Sequence, residues 1–239
     1  MCYSVAYLEK KLVKLAERYK EVVKVDLTIE DTARELPLYY FVSGFSFPEL
    51  PVITAENISL FQWGLIPSWA KDEQYASKIR TQTLNAVGET VFEKPSFRNA
   101  VRKHRGLLPV NGFFEWKDVN KVKYPYFISL KEKDIFSLGC IYDTWIDKTT
   151  GETKQTFSII TTPANNLLSE IHNTKKRMPL IIHQQDEAQW IDSSLSEKKI
   201  AGLTKPFPDK EMKAHTVSRE INNPKNNRNL PFAIEAIAY

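Results

Sequence analysis

The stretch that most restricts the fold runs from Gly106 to Thr162. It contains four apolar runs: Gly106 to Trp116 (GLLPVNGFFEW), Tyr124 to Leu130, Ile135 to Trp145, and Gln155 to Thr162. Each is short, rich in β-branched and aromatic residues, and bounded by turn-forming residues, so each reads as a strand rather than a helix. The last three read as a meander turning at Glu132-Lys133-Asp134 and Thr150-Gly151-Glu152. A chain with this stretch at its centre must build a sheet, and the flanking segments have to fit around it.

Those segments alternate in type. Ala6 to Val23 has Leu8, Leu12, Leu15, Ala16, Tyr19 and Val23 at helical spacing with Lys and Glu between, the pattern of an amphipathic helix. Val25 to Ile29 alternates like a short strand, and Glu35 to Leu50 is Pro-punctuated and loop-like. Pro51 to Leu65 reads as two strands around Glu56-Asn57. Helices are expected over Asp72 to Ile79, Pro95 to His104 (Pro in the first turn), Ala164 to Ile171, Asp186 to Asp192 and Leu195 to Ala201. Further strands are expected within Lys176 to His183, at His215 to Ser218 and at Phe232 to Ile237. No regular βαβ alternation is present. The expected architecture is α+β: one domain over residues 1–239, with a curved, mostly antiparallel sheet or barrel-like β core and short peripheral helices.

Composition excludes several classes. The chain has 239 residues, 42% hydrophobic and 26% charged, within the range of a soluble globular protein. No apolar run approaches the ~20 residues that span a bilayer, and the first twenty residues interleave lysines with apolar residues, unlike a signal peptide. Two cysteines, Cys2 and Cys140, give neither a disulfide framework nor CxxC metal spacing, so no metal or cofactor is expected. A reducing cytoplasm, without membrane association, is the expected location. The net charge of +4 is small. Arg98, Arg102, Lys103, His104 and Arg105 nevertheless cluster, as do Lys175, Lys176 and Arg177. Each cluster reads equally as a solvated face or as a polyanion contact.

Cys2 stands where removal of Met1 would make it the N-terminal residue. Its thiol and α-amine would then form a 1,2-aminothiol, with ordinary pKa values near ~8.5 and ~7.7–8.0, so both are partly nucleophilic at neutral pH. Such a pair condenses with an aldehyde to an imine and then a five-membered thiazolidine. Glu115 is the lone carboxyl among Phe113, Phe114 and Trp116. It either alternates outward to solvent or sits in an apolar wall with a raised pKa, as a general acid–base near neutral pH requires. Asn85 reads as a turn or cap residue, and His172 as a structural histidine, unless the surroundings give them work.

Taken together these residues resemble a known family. The Met-Cys start, WGLIPSW, LNA followed by GET, the basic PSFR, LLPVNGFFEWK, the TT ending a strand and IHNTKKRMPLII occur in family order from residue 1 to about residue 183. They are similar to the SRAP domain of bacterial SOS-response-associated peptidases, or abasic-site processing proteins. The resemblance implies a protein that binds single-stranded DNA and crosslinks covalently to the aldehyde of an abasic site. Cys2 would be the nucleophile, Asn85 a hydrogen-bonding group at the reacting end, Glu115 the proton carrier, and His172 an aid to ring opening or reversal. Trp69 and Trp116 are the stacking candidates, Arg98, Arg105, Lys176 and Arg177 the phosphate candidates, and Thr161 a hydroxyl contact. The expected form is a cytoplasmic monomer, nucleoid-associated when on DNA.

Two departures stand out. Many members begin Met-Cys-Gly-Arg and carry Asn-Ala-Arg, where this chain has Tyr3-Ser4 and Val87. Phosphate binding is then weaker or rerouted to Arg80, Lys175 or Lys176. Two other readings stay open: a thiol peptidase with Cys2 and His172 as nucleophile and base, acting on the bond before Cys2, and a non-covalent single-strand-binding module.

Overall fold

A computed structural model describes residues 2–24 and 34–239. The strand expected at Val25 to Ile29 falls outside the described residues. In chain order the strands are β1 (Ser4–Tyr7), β2 (Tyr39–Ser43), β3 (Glu49–Ile53), β4 (Ile58–Trp63), β5 (Asn85–Val87), β6 (Arg105–Val110) and β7 (Gly112–Val119). They continue with β8 (Val122–Leu130), β9 (Phe136–Ile146), β10 (Thr153–Pro163), β11 (Arg177–Pro179), β12 (Ile181–Ile182) and β13 (Met212–Thr216).

Five of these strands close on themselves. β4 pairs with β3, β3 with β6, β6 with β9 and β9 with β10, all antiparallel, and β10 returns to lie parallel to β4 through Thr156–Gln62 and Phe157–Trp63. The α+β, barrel-like expectation therefore holds. Closure removes free edges from this ring, and both of its faces are buried: Leu138, Phe157 and Ile159 share one by register, Leu107 and Ile141 the other, all fully buried. β5 and β11 extend the ring along β10, and β12 adds to β9.

A second sheet runs β13-β8-β7-β1-β2. Its strands alternate faces, so Val5, Phe113 and Ile128 enter the main core, whereas Ala6, Phe114 and Phe127 face outward. The C-terminal segment covers that outward face with Val217, Ile221 and Ala233, forming a small second core.

The expected meander is corrected by this arrangement. β8 and β9 belong to different sheets, so Glu132-Lys133-Asp134 is a crossover between sheets rather than a hairpin. The true hairpin partner of β8 is β7, and the turn between them carries Asn120 and Lys121 at φ 51° and 66°. Two left-handed residues give the turn a twist matching the strands, and Asn tolerates that region better than most residues. The β9–β10 hairpin does form, with Gly151 at φ 75°.

Other boundaries shift for local reasons. The expected N-terminal helix contracts to Leu12–Arg18, because Ser4–Tyr7 is claimed by pairing with β7 on one side and β2 on the other. Tyr39–Ser43, read as loop, is that partner strand. The Pro95 to His104 helix keeps only Ala100–Lys103, and the strand expected at Phe232 to Ile237 is instead a 3-10 turn at Pro231–Ala233. No described helix is long and apolar enough to cross a membrane.

Candidate functional site

The centre is assembled from three elements. β7 supplies Glu115, whose Cα partner on β8 is Tyr126. β1 lies on the other side of β7, paired through Val5–Phe113, and its N-terminal extension carries Cys2. The helix Asn166–Ile171 ends at His172, whose backbone N–H donates to Leu168 O at 2.7 Å. Asn165 caps that helix, accepting from Leu168 N at 2.9 Å, and its amide nitrogen donates to Phe207 O at 2.7 Å. The helix end is therefore fixed at both its backbone and its cap.

Glu115 is 3% exposed, which settles its orientation in favour of the apolar wall. Burial pushes its carboxyl up to about 8, with the positive charge of the chain's amino terminus opposing the shift. His172 Nδ1 lies 3.5 Å from Glu115 Oε2 and 2.9 Å from Arg177 O. A carbonyl only accepts, so Nδ1 carries the proton and Nε2 is the basic nitrogen. Desolvation holds the imidazole below its ordinary pKa, despite the Arg177 carbonyl, with Lys175 and Lys123 lowering it further. At neutral pH the pair is thus a protonated carboxyl beside a neutral imidazole. Cys2 is fully buried, its Sγ 3.8 Å from Ser4 O, and both burial and the charge of Glu115 push its thiol well above the ordinary range. Cys140 is also fully buried, mid-strand, and belongs to the core.

Asn85 lies on β5, which pairs with β10 through Ile159, Ile160 and Thr161. It is 7% exposed, and neither amide atom has a hydrogen-bond partner among the described residues. It faces a groove also lined by Trp69, Tyr75, Lys78, Val87 and Lys94. Trp69 is 45% exposed there, its indole N–H donating to Pro95 O at 3.4 Å. The groove connects to the centre by a chain of contacts. Val87 pairs with Thr161, whose carbonyl accepts from Arg177 Nη2 at 2.7 Å, and Arg177 O accepts from His172. A separate cavity of about 240 Å³, lined by Arg18, Leu130, Phe136, Ile182 and Phe207, contains none of these residues.

The other expected contacts divide. Arg98 and Lys176 are exposed. Arg177 pairs bidentately with Glu89, so its charge is already engaged. Thr161 is fully buried and lies 3.2 Å from Arg177 Nη2, out of reach of solvent. Trp116 is half-buried, donating to Asn222 Oδ1 at 2.6 Å. Arg105 is a correction: it is 1% exposed and donates to Trp190 O at 2.8 Å, to Val101 O and Arg102 O at 2.7 Å, and to Asp192 O. It joins the Ala100–Lys103 helix to the segment after Trp190 and has no exposed donor for a phosphate. Arg80 stacks over Phe47 at 4.0 Å and donates to Gln62.

One positioning residue escaped the sequence reading. Asn173 donates to Asp118 O at 2.8 Å and accepts from Asp118 N at 3.0 Å, tying the loop after His172 to the strand that carries Glu115. Its only sequence signal was adjacency to His172. Among the described residues no group of three His, Cys, Asp or Glu is placed to hold a metal ion.

Fold and site together define an α+β protein whose buried carboxyl and imidazole meet beside the inner strands of a five-stranded sheet, with a buried N-terminal thiol electrostatically coupled to that carboxyl and an aromatic groove nearby. The profile of the SOS response associated peptidase (SRAP) family matches residues 2–224, and the chain belongs to that family. The chain is 38% identical over 173 residues to the abasic site processing protein YoqW of Bacillus subtilis (strain 168), covering 72% of this chain and 74% of that protein. It is 31% identical to the abasic site processing protein HMCES of Xenopus tropicalis, over 71% of this chain and 55% of that protein. A crystal structure of a protein from Bacteroides thetaiotaomicron superposes with a TM-score of 0.90 at 41% identity, covering 99% of this chain and all of that one.

Proposed function

We propose that this protein, once Met1 is removed, binds single-stranded DNA at abasic sites and closes its N-terminal Cys2 onto the lesion's aldehyde as a thiazolidine. The observation that carries this reading is the buried Glu115, 3.5 Å from His172 Nδ1, raised to about 8 and electrostatically coupled to the Cys2 thiol. Condensation needs an acid and then a base, and a carboxyl titrating near neutrality serves as both. The relatives' role in abasic site processing supports the substrate class.

The atoms balance as follows. The Cys2 amine adds to the aldehyde carbon, giving a carbinolamine. Protonated Glu115 gives its proton to the carbinolamine hydroxyl, which leaves as water, and an iminium remains. The new positive charge lowers the thiol's pKa. Sulfur attacks the iminium carbon as the thiol proton passes to the Glu115 carboxylate, which returns Glu115 to its starting state. As the closed sugar opens, the neutral His172 Nε2 takes the anomeric hydroxyl proton, the bond from C1′ to the ring oxygen breaks, and the same proton passes to that oxygen, which becomes the C4′ hydroxyl and leaves His172 neutral again. Holding amine, thiol and aldehyde in one site supplies the proximity advantage. The groove of Trp69, Lys78 and Lys94 receives the strand, stacking on the ring and pairing phosphates with the lysines.

A denaturing gel tests the proposal. Mature protein mixed with an oligonucleotide carrying one abasic site gives a heat-stable shifted band that disappears in Cys2→Ala. DNA binding without that band leaves the non-covalent module. Cleavage of peptides without DNA binding leaves the thiol peptidase.

A further inference from the structure

The strand register brings a second aromatic surface to Cys2. β1 pairs with β7 through Val5–Phe113, and with β2 through Ser4–Ser43 and Val5–Val42. Continued toward the amino terminus, the first register sets Tyr3 opposite Glu115. The second sets Tyr3 opposite Gly44 and Cys2 opposite Phe45. The Gly44 N–H donates to Tyr3 O at 2.8 Å, which holds that continuation in place.

Phe45 is 60% exposed, the most exposed large apolar side chain among the described residues. Its ring centroid lies 4.9 Å from that of Tyr3, tilted 35°. The turn presenting it is tightly built. Ser43 Oγ accepts from Phe45 N at 3.4 Å, and Ser46 Oγ donates to Ser43 O at 2.7 Å. A Cβ on Gly44 would come within 2.9 Å of the Trp63 ring, so only glycine fits there. Phe47 closes the turn at φ 50° under the Arg80 guanidinium. A ring this exposed contributes little to folding, and a fixed turn spends no further entropy when a ligand arrives.

We propose that Tyr3 and Phe45 form a base-stacking ledge for the nucleotide adjacent to the lesion, on the Cys2 side of the site. The inference rests on the abasic-site reading above. The lesion has no base, so the neighbouring nucleobase is the nearest π-face available to these rings. Stacking is tolerant of base identity, so the ledge positions the strand without imposing a sequence.

The test compares wild type, Phe45→Ala, Phe45→Leu and Phe45→Trp. The half-saturating DNA concentration and the limiting crosslinking rate are measured on three oligonucleotides. One has ordinary bases beside the abasic site. The other two replace the 5′ or the 3′ neighbour with a tetrahydrofuran spacer, which lacks both base and aldehyde. On the ordinary strand, Phe45→Ala raises the half-saturating concentration roughly fivefold to a hundredfold, from the usual worth of one stacked base. The limiting rate is unchanged, Phe45→Leu resembles Ala, and Phe45→Trp restores binding. With one of the spacers, wild type and Phe45→Ala become equal. An equal penalty on all three strands, or none on any, overturns the ledge. If wild type binds without crosslinking, the chemistry proposed above fails, and the same comparison by fluorescence anisotropy still decides the ledge. Absence of binding by wild type overturns both.

Discussion

At the scale of single residues, Glu115 shows how one environment sets both chemistry and stability. Burial pushes its carboxyl up to about 8 in the fold against an ordinary value of 4.5. Between those values the folded protein holds a proton that the unfolded chain releases. The stability this confers is complete below pH 4.5 and is lost as pH rises toward 8. His172, held by burial below its ordinary value of 6.5, acts in the opposite sense, favouring the folded state as pH rises to that value. Comparing wild type with Glu115→Gln isolates the carboxyl: the difference in melting temperature between them changes progressively over that window, and the part between pH 6.5 and 8 lies above the range of His172. Glu115→Gln also lowers the crosslinking rate roughly 10²–10⁴-fold, the usual contribution of a positioned acid–base. The wild-type rate falls through about pH 8 as the acid form is lost, and the variant lacks that limb. A stopped-time gel series across pH reads both.

At the scale of elements, β7 joins the two halves of the site, and Gly112 is the condition for its position. A Cβ there would lie 2.2 Å from the Phe127 ring and 2.7 Å from Ile128 O. Gly112→Ala therefore forces β8 away from β7 and is expected to cost about 1–3 kcal/mol, read as a lower denaturant midpoint with an unchanged slope. The elements that were legible in the sequence are those whose signal is local. The β3–β4 hairpin, the Glu73–Arg80 helix and the helix delivering His172 all lie where the sequence pattern placed them. What was hidden depends on contacts distant in sequence. Ala6 and Tyr7 look helical until β2 and β7 flank the strand they belong to, and the Glu132-Lys133-Asp134 turn looks like a hairpin until the two sheets separate. The site followed the same rule. The burial of Glu115 was one of two alternatives that alternation left open. Arg105 sat in a basic cluster, and its inward turn onto Trp190 and Asp192, some 85 residues away in sequence, left no local mark.

At the scale of the whole molecule, the positive charge must do its work with few committed cations. Arg105 is internal and Arg177 is paired with Glu89, while Lys175 and Lys176 stand exposed on the loop between His172 and β11. If these lysines make up for Ser4 and Val87, where the family resemblance leads one to expect arginines, each contributes about 0.7 to the slope of log affinity against log salt. Lys175→Ala combined with Lys176→Ala then flattens that slope by roughly 1.4, measured by anisotropy on undamaged single strands. An unchanged slope would show that the loop lies off the path of the strand.

The central place of β1 also sets a schedule for synthesis. Cys2 is fully buried once β1 lies between β2 and β7, yet Phe113, the partner of Val5, is made more than a hundred residues later. At about 5–20 residues per second, the ribosome takes roughly 5–20 s to reach it. Throughout that interval the new amino terminus has no sheet to enter. On the proposed function, methionine removal would have its opportunity while the chain is still being made, before the fold closes over residue 2.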